Sequence, residues 1–242
     1  MFLEAKNINK CFGAEQVLDD LSLQLAEHEM LSILGRSGSG KTTLLKILAG
    51  LESPDEGEIV LEGQDMRPLP PNRRNIVYLY QEPLLFPHLN VFENVAFGLR
   101  LRKTQEGVVR KRVGEMLANL ELPEQARKMP HQLSGGQRQR VAFGRALIIN
   151  PKVLLLDEPF GALDAETRAS MQQLLKRMAK AFAITALFVT HGLKEALIMG
   201  DRIGLMEQGK LKVYETKKAF INDTGTGVQA EADFWRGIYL ES

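Results

Sequence analysis

The segment Gly35-Arg36-Ser37-Gly38-Ser39-Gly40-Lys41-Thr42 carries the spacing G-x-x-x-x-G-K-T, which suits the wrapping of a phosphate chain. Glycines let successive backbone N–H groups turn inward around an anion without side-chain clashes. A helix that begins at the same point aims its positive end at that anion. Lys41 adds a full charge for the β- and γ-phosphates, and the Thr42 hydroxyl is a hard oxygen ligand of the kind Mg²⁺ prefers. Further on, Asp157 and Glu158 follow the apolar run Val153-Leu154-Leu155-Leu156. That position is the carboxyl end of a buried strand, the edge at which ligands bind in open α/β sheets. Asp157 is placed to hold Mg²⁺, and Glu158 to polarise an attacking water. By themselves the two carboxylates read equally as a solvated strand end; a phosphate loop in the same chain favours the catalytic reading. Ser134 with Gly135 and Gly136 opens another helix and forms a second anion cradle. One triphosphate needs only one such loop, so the second calls for a separate explanation.

These groups need a scaffold that alternates strands and helices. Apolar patterning predicts strands at 1–8 and 17–25 around a turn at Gly13, a short buried strand over 30–34, and a helix over 41–49 that ends at Gly50. Further strands are predicted at 58–63 and 76–80. Helical periodicity then dominates through 92–101 and 109–120, and the stretch from about Leu84 reads as an inserted helical subdomain. A helix is expected from Gly135-Gly136 to Ile149, and another from Asp164, its N-cap, to about Phe182. Runs at 153–156 and 186–189 are apolar throughout, as in parallel sheets. The pair Gln208-Gly209 between 203–206 and 211–213 is a hairpin signal. The sum is a mainly parallel α/β sheet with a helical lobe.

Composition narrows the classes. Thirty-one Lys and Arg against 30 Asp and Glu leave a net charge of +1, without the basic excess of a nucleic-acid binder. The single cysteine, Cys11, excludes an intramolecular disulfide framework. No run of apolar residues approaches the length needed to cross a bilayer, and the N-terminus lacks a signal-peptide pattern.

Leu133-Ser134-Gly135-Gly136-Gln137, with Arg138-Gln139-Arg140 behind it, resembles the signature motif of ABC ATPases. The other motifs of that family stand in order across roughly residues 2 to 215. The resemblance implies an α/β fold: a RecA-like P-loop NTPase core with an antiparallel β-subdomain and an inserted α-helical subdomain. The ATPase domain is then expected over 1–217, with core and β-subdomain on 1–83 and 151–217 and the helical subdomain on 84–150. Phe12 and Val17 fall where adenine is stacked, although Phe12 by itself also reads as a core aromatic. Gly35, Arg36, Ser37, Gly38, Ser39, Gly40, Lys41, Thr42 and Thr43 are implied to bind the phosphates of ATP, with Thr42, Gln81 and Asp157 at Mg²⁺. Glu158, His191 and Gln81 are the implied catalytic residues. A glutamine at 81 or a histidine at 191 would carry little weight outside this order of motifs. In the family two such domains dock head to tail. Ser134, Gly135, Gly136 and Gln137 then cap the nucleotide held by the partner, and Asp164 lies in the loop that crosses to it.

The segments 70–76, 85–89 and 91–99, with Gln81 between them, resemble ATPases of importers for sulfate, molybdate, iron(III), polyamines or maltose. An importer subunit implies transmembrane permease partners, an extracytoplasmic solute-binding protein, a homodimer or heterodimer of ATPase chains, and a peripheral place on the cytoplasmic face of the cell membrane. An exporter ATPase is the alternative. A soluble ABC protein acting on nucleic acid fits poorly, because the chain has neither a long coiled-coil insert nor a second cassette. Gly192 stands where the group usually has Asp after the switch histidine, which is expected to loosen the contact that loop makes across the dimer. Only a tail, 218–242, is expected after the cassette, with no regulatory β-domain; 222–227 reads as a flexible linker before an apolar cluster at Phe234, Trp235, Ile238 and Tyr239.

Overall fold

The structure, a computed structural model, describes residues 1–228; the expected cluster from Phe234 to Tyr239 lies outside them. In chain order the elements are β1 (Leu3–Phe12), β2 (Glu15–Leu25), β3 (Met30–Leu34), α1 (Lys41–Ala49), β4 (Glu56–Leu61), β5 (Gln64–Asp65) and β6 (Ile76–Leu79). There follow α2 (Val91–Leu101), α3 (Glu106–Asn119), α4 (Gly135–Leu147), β7 (Val153–Asp157), α5 (Ala165–Ala181), β8 (Ala186–Thr190), α6 (Leu193–Met199), β9 (Arg202–Glu207), β10 (Lys210–Tyr214) and α7 (Lys217–Asn222). The chain divides into two units: Met1–Leu69 together with the chain from Leu187 onward, and Pro70–Ala186. The second unit therefore takes in not only the helical stretch expected over 84–150 but also β6, β7 and α5. The reason is pairing: β6 runs parallel to β7, with Ile76 opposite Val153 and Leu79 opposite Leu156, so the helices between them return to the strand beside which they began.

In the first unit an antiparallel sheet has the order β2-β1-β4-β5. Its alternating pattern buries Leu3, Ala5 and Ile8 of β1 and Leu21, Leu23 and Leu25 of β2. Beside it, β3 pairs in parallel with β9, β9 turns back into β10, and β8 flanks β3 on its other edge. All five residues of β3 are buried, as a strand covered on both faces requires. The β9–β10 turn places Gln208 at φ 47° and Gly209 at φ 78°, the paired positive values of a type I′ turn.

Helix α6 was not expected from the sequence, and residues 222–227 are not a flexible linker. Thr216 caps α7, and Asp223 accepts hydrogen bonds from Lys212 at 2.6 Å, Tyr214 at 2.8 Å and the Gly225 amide at 2.8 Å. Those three donors, the lysine foremost, hold the Asp223 carboxyl down at about 2. Phe220 and Val228 are buried with Leu34, Ala196, Ile203 and Tyr214. Polar anchoring and burial together fix the segment against the end of β3 and against α6.

In the second unit Asn94 of α2 is fully buried. Its side chain accepts from the Phe86 amide and donates towards the carbonyls of Phe86, Leu89 and Asn90. A buried amide is tolerable only when so satisfied. One side chain thus shapes the whole 86–90 loop. Phe86 packs against Phe97 at 4.4 Å between ring centroids and lies under Arg145 at 5.0 Å. The exposed apolar side chains nearby are Tyr80 and Leu84.

Candidate functional site

The candidate residues fall in both units. In the first, β3 ends at Leu34 and the chain turns through Gly35–Gly40 into α1. Gly40 is the N-cap of that helix at φ 102°, a left-handed value that favours glycine. A Cβ there would also meet the Val17 carbonyl oxygen at 2.7 Å. The glycine is therefore needed twice: for its backbone angle and for its contact with the hairpin that carries Phe12 and Val17. Arg36, Ser37, Gly38 and Thr42 are exposed, Thr43 is half-buried and Ser39 is buried. The Ser39 hydroxyl has no hydrogen-bond partner, an orphan that an anion in the loop would satisfy. Lys41 is 5% exposed, and its ammonium donates to the carbonyls of Gly35 at 2.7 Å and Arg36 at 2.8 Å. The charge is thus held across the mouth of the loop rather than in solvent.

Two further candidates join this loop. Phe12, at the end of β1, is 49% exposed, so the core reading of that ring is overturned. His191 is exposed immediately after β8, and the Gly35 amide donates to the carbonyl of the preceding residue, Thr190, at 3.3 Å. Gly192 is the N-cap of α6 and brings no side-chain cap. Thr190 compensates: its hydroxyl accepts from the Gly192 amide at 3.0 Å and donates to Glu195 at 2.7 Å. The loop after His191 is therefore tied from behind within the chain.

In the second unit Asp157 ends β7 and is 9% exposed. The Tyr78 hydroxyl donates to its Oδ2 at 2.5 Å. Burial, and next the bond to this carboxylate, push the Tyr78 phenol well above its ordinary range, so it stays a donor. Glu158 follows with φ 44°. A left-handed glutamate directly before a proline is disfavoured by sterics, and strain of this kind gathers at working sites. Asp164 caps α5 by accepting from the Thr167 amide at 3.0 Å. That amide, chiefly, lowers the Asp164 carboxyl below its usual range.

Ser134 caps α4: its Oγ accepts from the Gln137 amide at 3.2 Å, while the Gln137 side chain accepts from the Ser134 amide at 3.0 Å. This reciprocal capping box leaves the exposed Ser134 hydroxyl hydrogen for another acceptor. Gly136 is buried against α5, where an added Cβ would come 2.6 Å from Thr167 Cγ2. A cavity of about 370 Å³ is lined by Gln81, Gly135, Arg138, Gln139, Pro159 and Leu163 among others. It brings the candidate glutamine beside the start of the signature helix and the loop that leads to Asp164. Tyr78 and Asn94 were missed from the sequence. Only an aromatic in the register of a strand paired with β7, and an asparagine on the apolar face of a helix, could have pointed to them.

Thr42 offers a hydroxyl in the first unit and Asp157 a carboxylate in the second, each a hard oxygen of the kind Mg²⁺ prefers. Among the described residues no group of three or more His, Cys, Asp or Glu is arranged to hold a metal ion. No helix of the described residues is long and apolar enough to cross a membrane.

Comparison with known proteins gives this arrangement its family. Residues 18–161 match the family described as ABC transporter, a stretch that spans the phosphate loop, the 133–137 motif and Asp157-Glu158. The chain is 50% identical over 207 residues to the spermidine/putrescine import ATP-binding protein PotA of Rubrobacter xylanophilus, covering 86% of this chain and 55% of that one. It is 45% identical over 216 residues to the sulfate/thiosulfate import ATP-binding protein CysA of Bacillus cereus, covering 88% and 60%. The chain thus spans little more than half the length of these curated relatives. A solved structure, the dimeric post-hydrolysis state of the ATP-binding cassette MJ0796 bound to ADP and Pi, superposes with a TM-score of 0.76 at 36% identity, covering 87% of this chain and 97% of that one. A glycine loop closed by Lys41, a second cradle at Ser134 and a strand ending in two carboxylates are found together for a reason: the chain belongs to the ABC transporter family and has the fold of an ABC ATPase cassette.

Proposed function

We propose that this chain binds and hydrolyses ATP as the energising subunit of a membrane importer. The observation that carries the reading is the presence of two anion cradles in one chain, Gly35–Thr42 and Ser134–Gln137, each at the start of a helix. A head-to-tail pair uses both: the first holds a triphosphate and the second closes on its γ-phosphate from the partner. Phe12 and Val17 form the adenine side, and Gln81, Glu158 and His191 surround the attacking water, with Glu158 polarising it. Thr42, Gln81 and Asp157 would hold Mg²⁺, which when bound neutralises charge on the phosphates. The fit is supported by the orphaned Ser39 hydroxyl and by the oxygen character of the donors. The permease is expected to be an integral membrane partner, with an extracytoplasmic solute-binding protein in the full system. The chain itself is expected on the cytoplasmic face of the membrane. Identity of the same order to a polyamine-import and a sulfate-import protein leaves the choice of solute to the permease and the binding protein.

Affinity purification of the tagged chain from native membranes tests the partnership. It is expected to bring down a multispanning permease; recovery with ribosomes, with DNA, or with no membrane protein would contradict it.

Tyr78→Phe tests the assignment of Asp157 as a metal ligand. Outer partners of ligands typically carry tenfold or more in metal affinity, so the Mg²⁺ concentration for half-maximal ATPase is expected to rise about tenfold. A Mg²⁺ titration identical to that of the unmodified chain would remove Asp157, or its tyrosine, from that role.

A further inference from the structure

Lysines at the end of an exposed strand usually reach into water. Lys10 does not: it is 8% exposed although Cys11 and Phe12 beside it are exposed. Its ammonium lies 2.9 Å from the Glu52 carboxylate, 2.8 Å from the Ser53 carbonyl and 3.3 Å from the Asp55 carboxylate. A lysine has three N–H donors, and these three acceptors use them all. The same nitrogen stands 5.1 Å from the centroid of the Phe12 ring, within the range at which a cation is attracted to a ring face. The Glu52 hydrogen bond, foremost, raises the ammonium above the ordinary lysine value against the opposing pull of burial, so the charge persists at every working pH.

The acceptors are themselves anchored. The Glu52 and Leu51 amides donate to the Lys46 carbonyl in the last turn of α1, the helix whose first residue is Lys41. Asp55 is tied to the strand on both sides: its carboxylate accepts from the Cys11 amide at 2.6 Å, and its own amide donates to the Asn9 carbonyl at 2.9 Å. An unbroken series of contacts therefore runs from the Phe12 ring through Lys10 and the 51–55 loop to the helix that carries the phosphate loop.

We propose that Lys10 is a positioning residue for the nucleotide base, holding the Phe12 ring at a fixed place relative to the phosphate cradle. The proposal rests on Phe12 being the adenine platform. A half-exposed ring at the end of a hairpin would otherwise have to be ordered when the base stacks, and ordering one side chain opposes binding. Lys10 does that ordering beforehand.

The test compares affinity for Mg-ATP with affinity for magnesium tripolyphosphate, which has the phosphates and no base. Lys10→Met is expected to weaken ATP about fivefold, in line with a partly exposed cation–ring contact, while tripolyphosphate affinity and kcat at saturating ATP are unchanged. Lys10→Arg, which keeps the charge over the ring, is expected to restore ATP affinity. Should Lys10→Met fail to fold, Glu52→Gln loosens the same ammonium at the surface and is expected to give a loss of about twofold, again for ATP alone. Phe12→Ala is expected to weaken ATP about tenfold with tripolyphosphate unchanged. Equal loss of both ligands in the Lys10 or Glu52 variants, or no loss, overturns the positioning role while a selective Phe12→Ala effect keeps the platform. Loss of selectivity in Phe12→Ala itself overturns both.

Discussion

Glu158→Gln is expected to lower ATP turnover by at least about a hundredfold, the scale of a positioned general base, while Mg-ATP binding stays within about twofold of the unmodified chain. The substitution keeps shape and hydrogen-bonding capacity but removes the negative oxygen that polarises water. Glu158 sits at φ 44° immediately after β7, and this backbone angle aims the side chain independently of its charge. Gln should therefore occupy the same place. Single-turnover hydrolysis measured beside equilibrium binding separates the two effects. Unchanged hydrolysis would take the catalytic role away from Glu158, and lost binding would show that the residue holds the fold of the site instead.

Lys41→Ala should act on the other step. Charge-assisted hydrogen bonds contribute about 1.5–3 kcal/mol each, so removing the one ammonium in the cradle is expected to weaken Mg-ATP by about ten- to a hundredfold. The buried amine spans the loop between the carbonyls of Gly35 and Arg36, so some loss of loop order will accompany the loss of charge. Lys41→Arg separates the two: it retains charge but its planar fork does not fit a point contact, and ATP affinity is expected to stay low. Calorimetric titration with Mg-ATP gives both values. Full affinity in either variant would place the phosphates elsewhere.

Much of the frame was legible in the sequence because glycine and capping residues punctuate it. The helix over 41–49 lies where it was expected, between Gly40 and Gly50, both left-handed. Asp164 caps its helix, and Gln208-Gly209 makes its hairpin. Short elements without such punctuation escaped. Helix α6 has seven residues and a glycine cap that offers no side chain, and Asp223 becomes an anchor only once Lys212 and Tyr214 fold back to it. Within the candidate site the motifs gave the residues that stand close in sequence. What positions them did not show, because those contacts are distant along the chain: Tyr78 reaches Asp157 across 79 residues, and Lys10 reaches the Ser53 carbonyl across 43. A strand residue's partner depends on which strand lies beside it, and local periodicity carries no record of that choice.

Everything attributed to Ser134 and Asp164 depends on two copies of the cassette facing each other across nucleotide. Sedimentation of Glu158→Gln with and without Mg-ATP measures this directly. The slow variant should double in mass with ATP and return to a monomer with ADP, and Ser134→Arg in the same background should stay monomeric. A chain that remains monomeric with ATP bound, or a dimer indifferent to both nucleotide and Ser134, would contradict the account.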